Sequence, residues 1–96
     1  MTINEAATPA LAAQIQAGLL AFLEAKTKQV VAPGQDIFGT GLATSMFALE
    51  LVVHLEGTYG IEIAGPDLRL EHFRTVEKMT ALTLRLKAEA ESTDSA

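Results

Sequence analysis

Residues 44–56 constrain this chain more than any other stretch. Thr44-Ser45 leads into Met46-Phe47-Ala48-Leu49-Glu50-Leu51-Val52-Val53-His54-Leu55-Glu56, a run with no helix breaker and more apolar surface than one buried face needs. With Ser45 at 0° on a helix of about 100° per residue, Ala48, Leu51, Val52 and Leu55 fall between about 240° and 340°. Met46, Leu49 and Val53 fall between about 40° and 100° on the same projection. Glu50 and His54 separate the stripes on one side and Glu56 on the other. A small helical domain buries one stripe against its core, so the second is covered by another layer or offered to partners. Phe38-Gly39-Thr40-Gly41 forms a Gly-punctuated loop that delivers Ser45 to the start of this helix. A hydroxyl there can cap orphan backbone N–H groups for about 1 kcal/mol. Thr44 can take that role, which leaves Ser45 free and exposed.

The flanking segments read as helices that would bury the first stripe. Residues 1–7 are expected to form a flexible leader. Thr8-Pro9 has the N-cap and first-turn chemistry of a helix start. Leu11, Ile15, Leu19, Phe22 and Leu23 then recur at helical spacing, Lys26 and Lys28 suit the C-terminal end, and Pro33-Gly34 lies beyond it. Gly18 costs this helix about 1 kcal/mol against Ala. Residues 35–44 form a long connection anchored by Ile37 and Phe38. Ser45 to Thr58 is the second helix, ended by Gly57 and Gly60. Ile61-Glu62-Ile63 alternates like a strand but is too short for a sheet, so Ile61 and Ile63 plug the core from a loop. Gly65-Pro66-Asp67 is a turn, with a short third helix from about Asp67 through His72. Thr75 caps the last helix, whose apolar face is Val76, Met79, Leu82 and Leu86. Tyr59 and Phe73 complete the core, and residues 89–96 form a polar, disordered tail. The architecture is all-α, three long helices and one short, with a long loop between the first and second.

Charge and composition exclude several function classes. The 96-residue chain has a net charge of −5, and residues 36–77, with seven acids against two bases, carry all of it. That disfavours nucleic acid and anionic membranes and favours basic protein partners. With 0 Cys and 2 separated His there is no disulfide framework and no metal-ligand spacing. No stretch is long and apolar enough to span a membrane, and no signal-peptide pattern is present, which points to a cytoplasmic protein, expected as a monomer. Self-contained catalysis by Ser45 lacks a base: His54 lies half a turn out of phase and about 13 Å along the helix. The chain is therefore read as non-enzymatic. A serine with no base can still be a substrate, and an apolar stripe beside it suits modification by another protein.

Asp36-Ile37-Phe38, Gly41-Leu42, Ser45-Met46, Leu49-Glu50-Leu51-Val52, Leu55-Glu56, Tyr59-Gly60-Ile61-Glu62-Ile63, Asp67-Leu68 and Phe73-Arg74-Thr75-Val76 together resemble an acyl carrier protein over roughly residues 10–88. The resemblance implies a four-helix carrier domain at residues 8–88. It implies that Ser45 receives 4′-phosphopantetheine from coenzyme A through a separate Mg²⁺-dependent phosphopantetheinyl transferase. The arm's thiol would carry an acyl group as a thioester, so the reactive sulfur is imported. Thr44, Met46, Leu49, Glu50, Val53, Glu56 and Glu62 would meet partner enzymes, while Leu51, Leu55, Tyr59 and Ile63 line the core. The family usually has Asp before the serine and Leu after it; Thr44 and Met46 stand there instead, which leaves the choice of transferase open. The Gly-Leu-x-x-Ser-Met-Phe-Ala-Leu form is similar to stand-alone polyketide carriers of hydroxy- or methoxymalonyl extender units, whose partners are an acyl-loading enzyme and polyketide synthase-type enzymes. Its Gly-Leu…Ser-Met part is also similar to D-alanyl carrier proteins. A helical adaptor with an unmodified Ser45 is the remaining alternative.

Overall fold

A computed structural model describes the backbone of residues 3–41 and 44–95, and the side chains of residues 10–41, 44 and 46–90. It is all-helical: α1 (Ile3–Thr27), α2 (Ser45–Tyr59) and α3 (Val76–Ser95), with two 3₁₀ turns, Gly65–Asp67 and Leu70–Phe73, between α2 and α3. No strand forms among the described residues, and Ile61-Glu62-Ile63 is loop.

α1 already begins at Ile3, ahead of the Thr8-Pro9 start. The alanines on both sides of Pro9 are strong helix formers and carry the helix across it. Met1 and Thr2, in the expected leader, lie outside the described residues. α1 stops where Lys28 takes a left-handed φ of 62° while its N–H still bonds to the Glu24 carbonyl at 2.8 Å. α3 runs through residues 89–95 of the expected tail, with Arg85 and Glu89 paired one turn apart at 3.1 Å. Ala96 lies outside the described residues.

The short third helix is the main correction. The expected helix from Asp67 through His72 is replaced by the two 3₁₀ turns. Leu68 (φ −84°, ψ 68°) and Arg69 (φ −126°, ψ 139°) leave the helical region between them, so no α-helical run forms. The second turn nevertheless packs against both α2 and α3 and delivers Phe73 to the core.

The core joins the buried faces of the three helices. Ile15, Leu19 and Leu23 of α1, Leu51 and Leu55 of α2, and Val76, Met79, Leu82 and Leu86 of α3 form one cluster with Val31, Ile37, Ile61, Ile63 and Phe73. Both loop plugs, at residue 37 and at residues 61 and 63, are therefore in place. Tyr59 is only half-buried, packed at the edge of this cluster. Its phenol fits over Gly18, where an added Cβ would lie 2.8 Å from the Tyr59 hydroxyl. That glycine gives up helix propensity in return for close approach.

Caps and loop bonds set the helix ends. Gly60 (φ 65°, ψ 38°) closes α2 in the left-handed conformation, its N–H bonding to the Glu56 carbonyl. Lys87 Nζ reaches from α3 to the Tyr59 carbonyl at 3.1 Å. Thr75 Oγ1 accepts from the Lys78 N–H at 3.0 Å, as expected of the α3 cap. The long connection is fastened by Asp36. Its Oδ1 accepts from the Phe38 and Gly39 N–H groups at 3.1 and 2.8 Å, and its Oδ2 pairs with Arg74 at 3.1 Å. The Gly39 N–H first, and the Arg74 guanidinium with it, hold the Asp36 carboxyl below its usual value. The backbone doubles this link through the Ile37 N–H and the Arg74 carbonyl at 2.9 Å.

Leu55 is fully buried. Leu55→Ala is expected to destabilise the fold by about 2–5 kcal/mol, measured as a lower denaturation midpoint in urea. A change near zero would put this stripe at the surface.

Candidate functional site: the start and outer face of α2

Burial of Leu51 and Leu55 fixes the rotation of α2 about its axis. The second stripe is thereby turned to solvent: Met46, Leu49 and Val53 are 75%, 64% and 69% exposed. Of the two outcomes open for this stripe, coverage by another layer is the one that does not occur. Ala48 and Val52, at the edge of the buried stripe, are half-buried.

Thr44 is the N-cap. It is extended (φ −109°, ψ 171°), and its Oγ1 accepts from the Phe47 N–H at 3.3 Å. Ser45 is the first residue of α2, and its side chain lies outside those described. Leu42 and Ala43, in the loop before it, also lie outside the described residues. No acidic residue stands in the first turn of α2, so nothing there offsets the positive end of the helix dipole.

The acidic residues proposed from the sequence divide. Glu62 is exposed. Glu50 is exposed and pairs across to Lys26 of α1 at 3.4 Å, a surface contact of small net weight. Glu56 points inward: its Oε2 accepts from the Ile63 N–H at 2.8 Å and so holds the Ile61/Ile63 plug against the end of α2. One of its two carboxylate oxygens is thus engaged in the fold.

The seam between α1 and α2 contains residues that periodicity did not single out as a group. The Phe22 ring stacks on His54 with centroids 4.0 Å apart and lies 6.1 Å from Phe47. Lys26 Nζ sits 5.7 Å from the Phe22 centroid. Tyr59 meets His54 edge-on at 6.5 Å. His54 Nδ1 lies 3.4 Å from Thr58 Oγ1, while Nε2 is shut off from solvent without a hydrogen-bond partner among the described residues. Burial pushes the His54 pKa down and that of Tyr59 up. The spacing of Phe22 and Lys26, one turn apart on α1, was visible in the sequence; that His54 would stack beneath them was not.

Among the described residues no group of three or more His, Cys, Asp or Glu side chains could hold a metal ion. No described helix is long and apolar enough to cross a membrane. The chain matches no family model and no curated protein.

Val53→Asp is expected to leave stability within about 0.5 kcal/mol of the parent, because the side chain is already exposed. A collapsed melting temperature would place Val53 in the core. The lowered pKa of His54 sets a second expectation. The neutral ring stabilises the fold above the unfolded value of about 6.5, and this contribution is lost as the pH falls below it, because the unfolded chain then binds the proton more readily. Urea titrations at stepped pH should show that loss, and His54→Phe should remove it; equal slopes for both proteins would discount the burial.

Proposed function

We propose that the chain is an acyl carrier protein that bears 4′-phosphopantetheine on Ser45. The observation that carries this reading is the division of α2. One apolar stripe builds the core, the other is left in solvent, and the exposed stripe starts beside a serine that is not needed as the helix cap. A helix that serves only the core does not need this arrangement, whereas a carrier shows a docking face next to its attachment point. The family's four-helix description is kept in this reading, with the segment containing the two 3₁₀ turns standing where the short helix is expected.

The residues around Ser45 suit the group. A phosphodiester at the first residue of α2 meets the positive end of the helix dipole and no first-turn carboxylate. When bound, the group supplies the thiol that a chain with 0 Cys lacks, and the acyl cargo rides on it as a thioester. The chain's own part is to present the serine, hold the loop before it, and offer a surface. Asp36, through its bonds to the Phe38 and Gly39 N–H groups and to Arg74, anchors that loop. Met46, Leu49 and Val53 offer apolar contact, and Glu50 and Glu62 provide negative charge that speeds encounter with basic enzymes. Docking of this kind is weak and salt-sensitive, as a carrier that must leave each enzyme requires. The arm raises the effective concentration of the cargo at successive enzymes. The cargo in this reading is a polyketide extender unit of the hydroxy- or methoxymalonyl type.

The test is intact-protein mass spectrometry after incubation with coenzyme A, Mg²⁺ and a broad-specificity phosphopantetheinyl transferase, with Ser45→Ala alongside. A gain of one phosphopantetheine on the parent alone is expected, with unchanged helicity in the variant. No gain with several transferases would leave a dedicated transferase that tolerates Thr44, or a helical adaptor with an unmodified serine.

A further inference from the structure

Along one side, α1 and α2 are joined by an aromatic stack and an ion pair that lie against each other. A cleft of about 430 Å³ there is lined by Phe22 and Lys26 of α1 and by Leu49, Glu50, Val53 and His54 of α2. Leu49 and Val53 belong to the exposed stripe. The His54 ring lies 17° from parallel to Phe22, with 4.0 Å between centroids. Lys26 Nζ sits 5.7 Å from the centre of the same Phe22 ring and 3.4 Å from Glu50 Oε1. Glu50 and His54 are four residues apart on α2, the spacing at which two side chains of a helix meet. Glu50 is therefore within the reach of two cations, Lys26 across the seam and a protonated His54 on its own helix.

The stack suits a neutral imidazole. Thr58 Oγ1 lies 3.4 Å from His54 Nδ1, whereas Nε2 is closed off from solvent without a partner among the described residues. A ring protonated in place carries N–H donors at both nitrogens. The donor at Nε2 would be charged, enclosed and unpaired, a heavier penalty than a neutral donor bears. A cation gains from the face of Phe22, but Lys26 already brings one to that ring. The other ionisable groups around the seam give no relief. Tyr59 meets the His54 ring edge-on, and burial raises its pKa, so it stays a neutral phenol. Glu24 lies about 200° around α1 from Phe22 and faces away. Glu56 is turned to the Ile63 N–H, and Lys87 of α3 ends on the Tyr59 carbonyl. Glu50 is the carboxylate that lines the cleft.

We propose that this seam is a proton-operated clasp: on protonation the His54 ring swings off Phe22 to Glu50, Glu50 gives up Lys26, and the uncovered face of Phe22 joins Leu49 and Val53 at the surface. Glu placed N-terminal to a cation at this spacing is the favourable order on a helix. The closed seam binds the proton less readily than the open one, because burial lowers the His54 pKa in the closed form. The closed seam is thus fully favoured above the ordinary value of about 6.5 and loses ground as the pH falls below it, the open-to-closed ratio growing by up to about tenfold per pH unit. The opening changes what the exposed stripe offers. Near neutral pH a partner meets Leu49 and Val53 beside a charge-balanced Lys26–Glu50 pair. In acid it meets a wider apolar face with one added positive charge, which disfavours a basic partner. The clasp is a property of the unmodified chain and does not depend on Ser45 bearing a group.

The test is an NMR titration of the full, unmodified chain from about pH 7.5 to about pH 5, the range in which an imidazole changes charge. His72→Gln separates the two imidazole signals. Nuclear Overhauser contacts between the Phe22 and His54 rings are expected at the upper end and lost at the lower end, while those of Leu51 and Leu55 persist. The Phe22 ring and the Leu49 and Val53 methyl groups should shift with the midpoint of the His54 imidazole. Lys26→Met frees Glu50 and removes a like charge, so it should raise that midpoint. Glu50→Gln removes the acceptor and should lower it. Each change should be about two- to threefold in proton affinity, the weight of one exposed charge pair. Lys26 and Glu50 are both exposed, so both variants should fold. A Phe22–His54 contact that survives protonation of His54 overturns the clasp. So does one midpoint common to the parent and both variants, because Glu50 then plays no part. Loss of the Leu51 and Leu55 contacts over the same range also overturns it, because the change is then unfolding of the whole domain.

Discussion

The structure depends on the burial of Leu51 and Leu55. These two side chains, one turn apart on α2, are fully enclosed among residues of α1, α3 and the loop plugs. Each is worth about 1.5–3 kcal/mol of buried apolar surface, so any other rotation of α2 would be heavily disfavoured. Once that rotation is set, the helix has no freedom over what it shows to solvent. Met46, Leu49 and Val53 are carried outward, Glu50 is brought to Lys26, and His54 is brought under Phe22. The exposed stripe is thus a geometric consequence of the core.

The loops work to the same end. Asp36 closes its own turn and reaches Arg74, next to the α3 cap, so the chain entering α2 is tied to the chain entering α3. Glu56 does the equivalent at the other end of α2 by holding the Ile63 N–H. Two carboxylates of an acidic chain are spent in this way on internal bonds.

The long-range plan was legible where a periodic face or a cap dictates local structure. The stripes of Ile15, Leu19 and Leu23, of Leu51 and Leu55, and of Met79, Leu82 and Leu86 all lead to the core, and Thr44 and Thr75 both cap. The turn at Gly65-Pro66-Asp67 was legible, but the stretch from Asp67 through His72 read as one short helix, and the departure of Leu68 and Arg69 from helical dihedrals that divides it has no local signal. Gly18 read as a simple cost because its partner, Tyr59, is distant in sequence. The Phe22–His54 stack was hidden for the same reason, since helical phase places each residue on its own helix but cannot say which faces meet. Glu56 was grouped with the surface acids because sequence gives a carboxylate's phase and not its bonding partner.

The two 3₁₀ turns give the molecule an uneven mechanical character. Their bonds are short-range, such as Leu68 N–H to the Gly65 carbonyl at 3.1 Å and His72 N–H to the Arg69 carbonyl at 3.0 Å, and between them Leu68 and Leu70 remain 51% and 41% exposed. The poorly shaped hydrogen bonds weaken the segment locally, while Phe73 ties it to the core and the Asp67–Arg85 ion pair ties it to α3. Amides held only by the short bonds of the two turns should exchange with solvent before those on the buried faces of α1, α2 and α3.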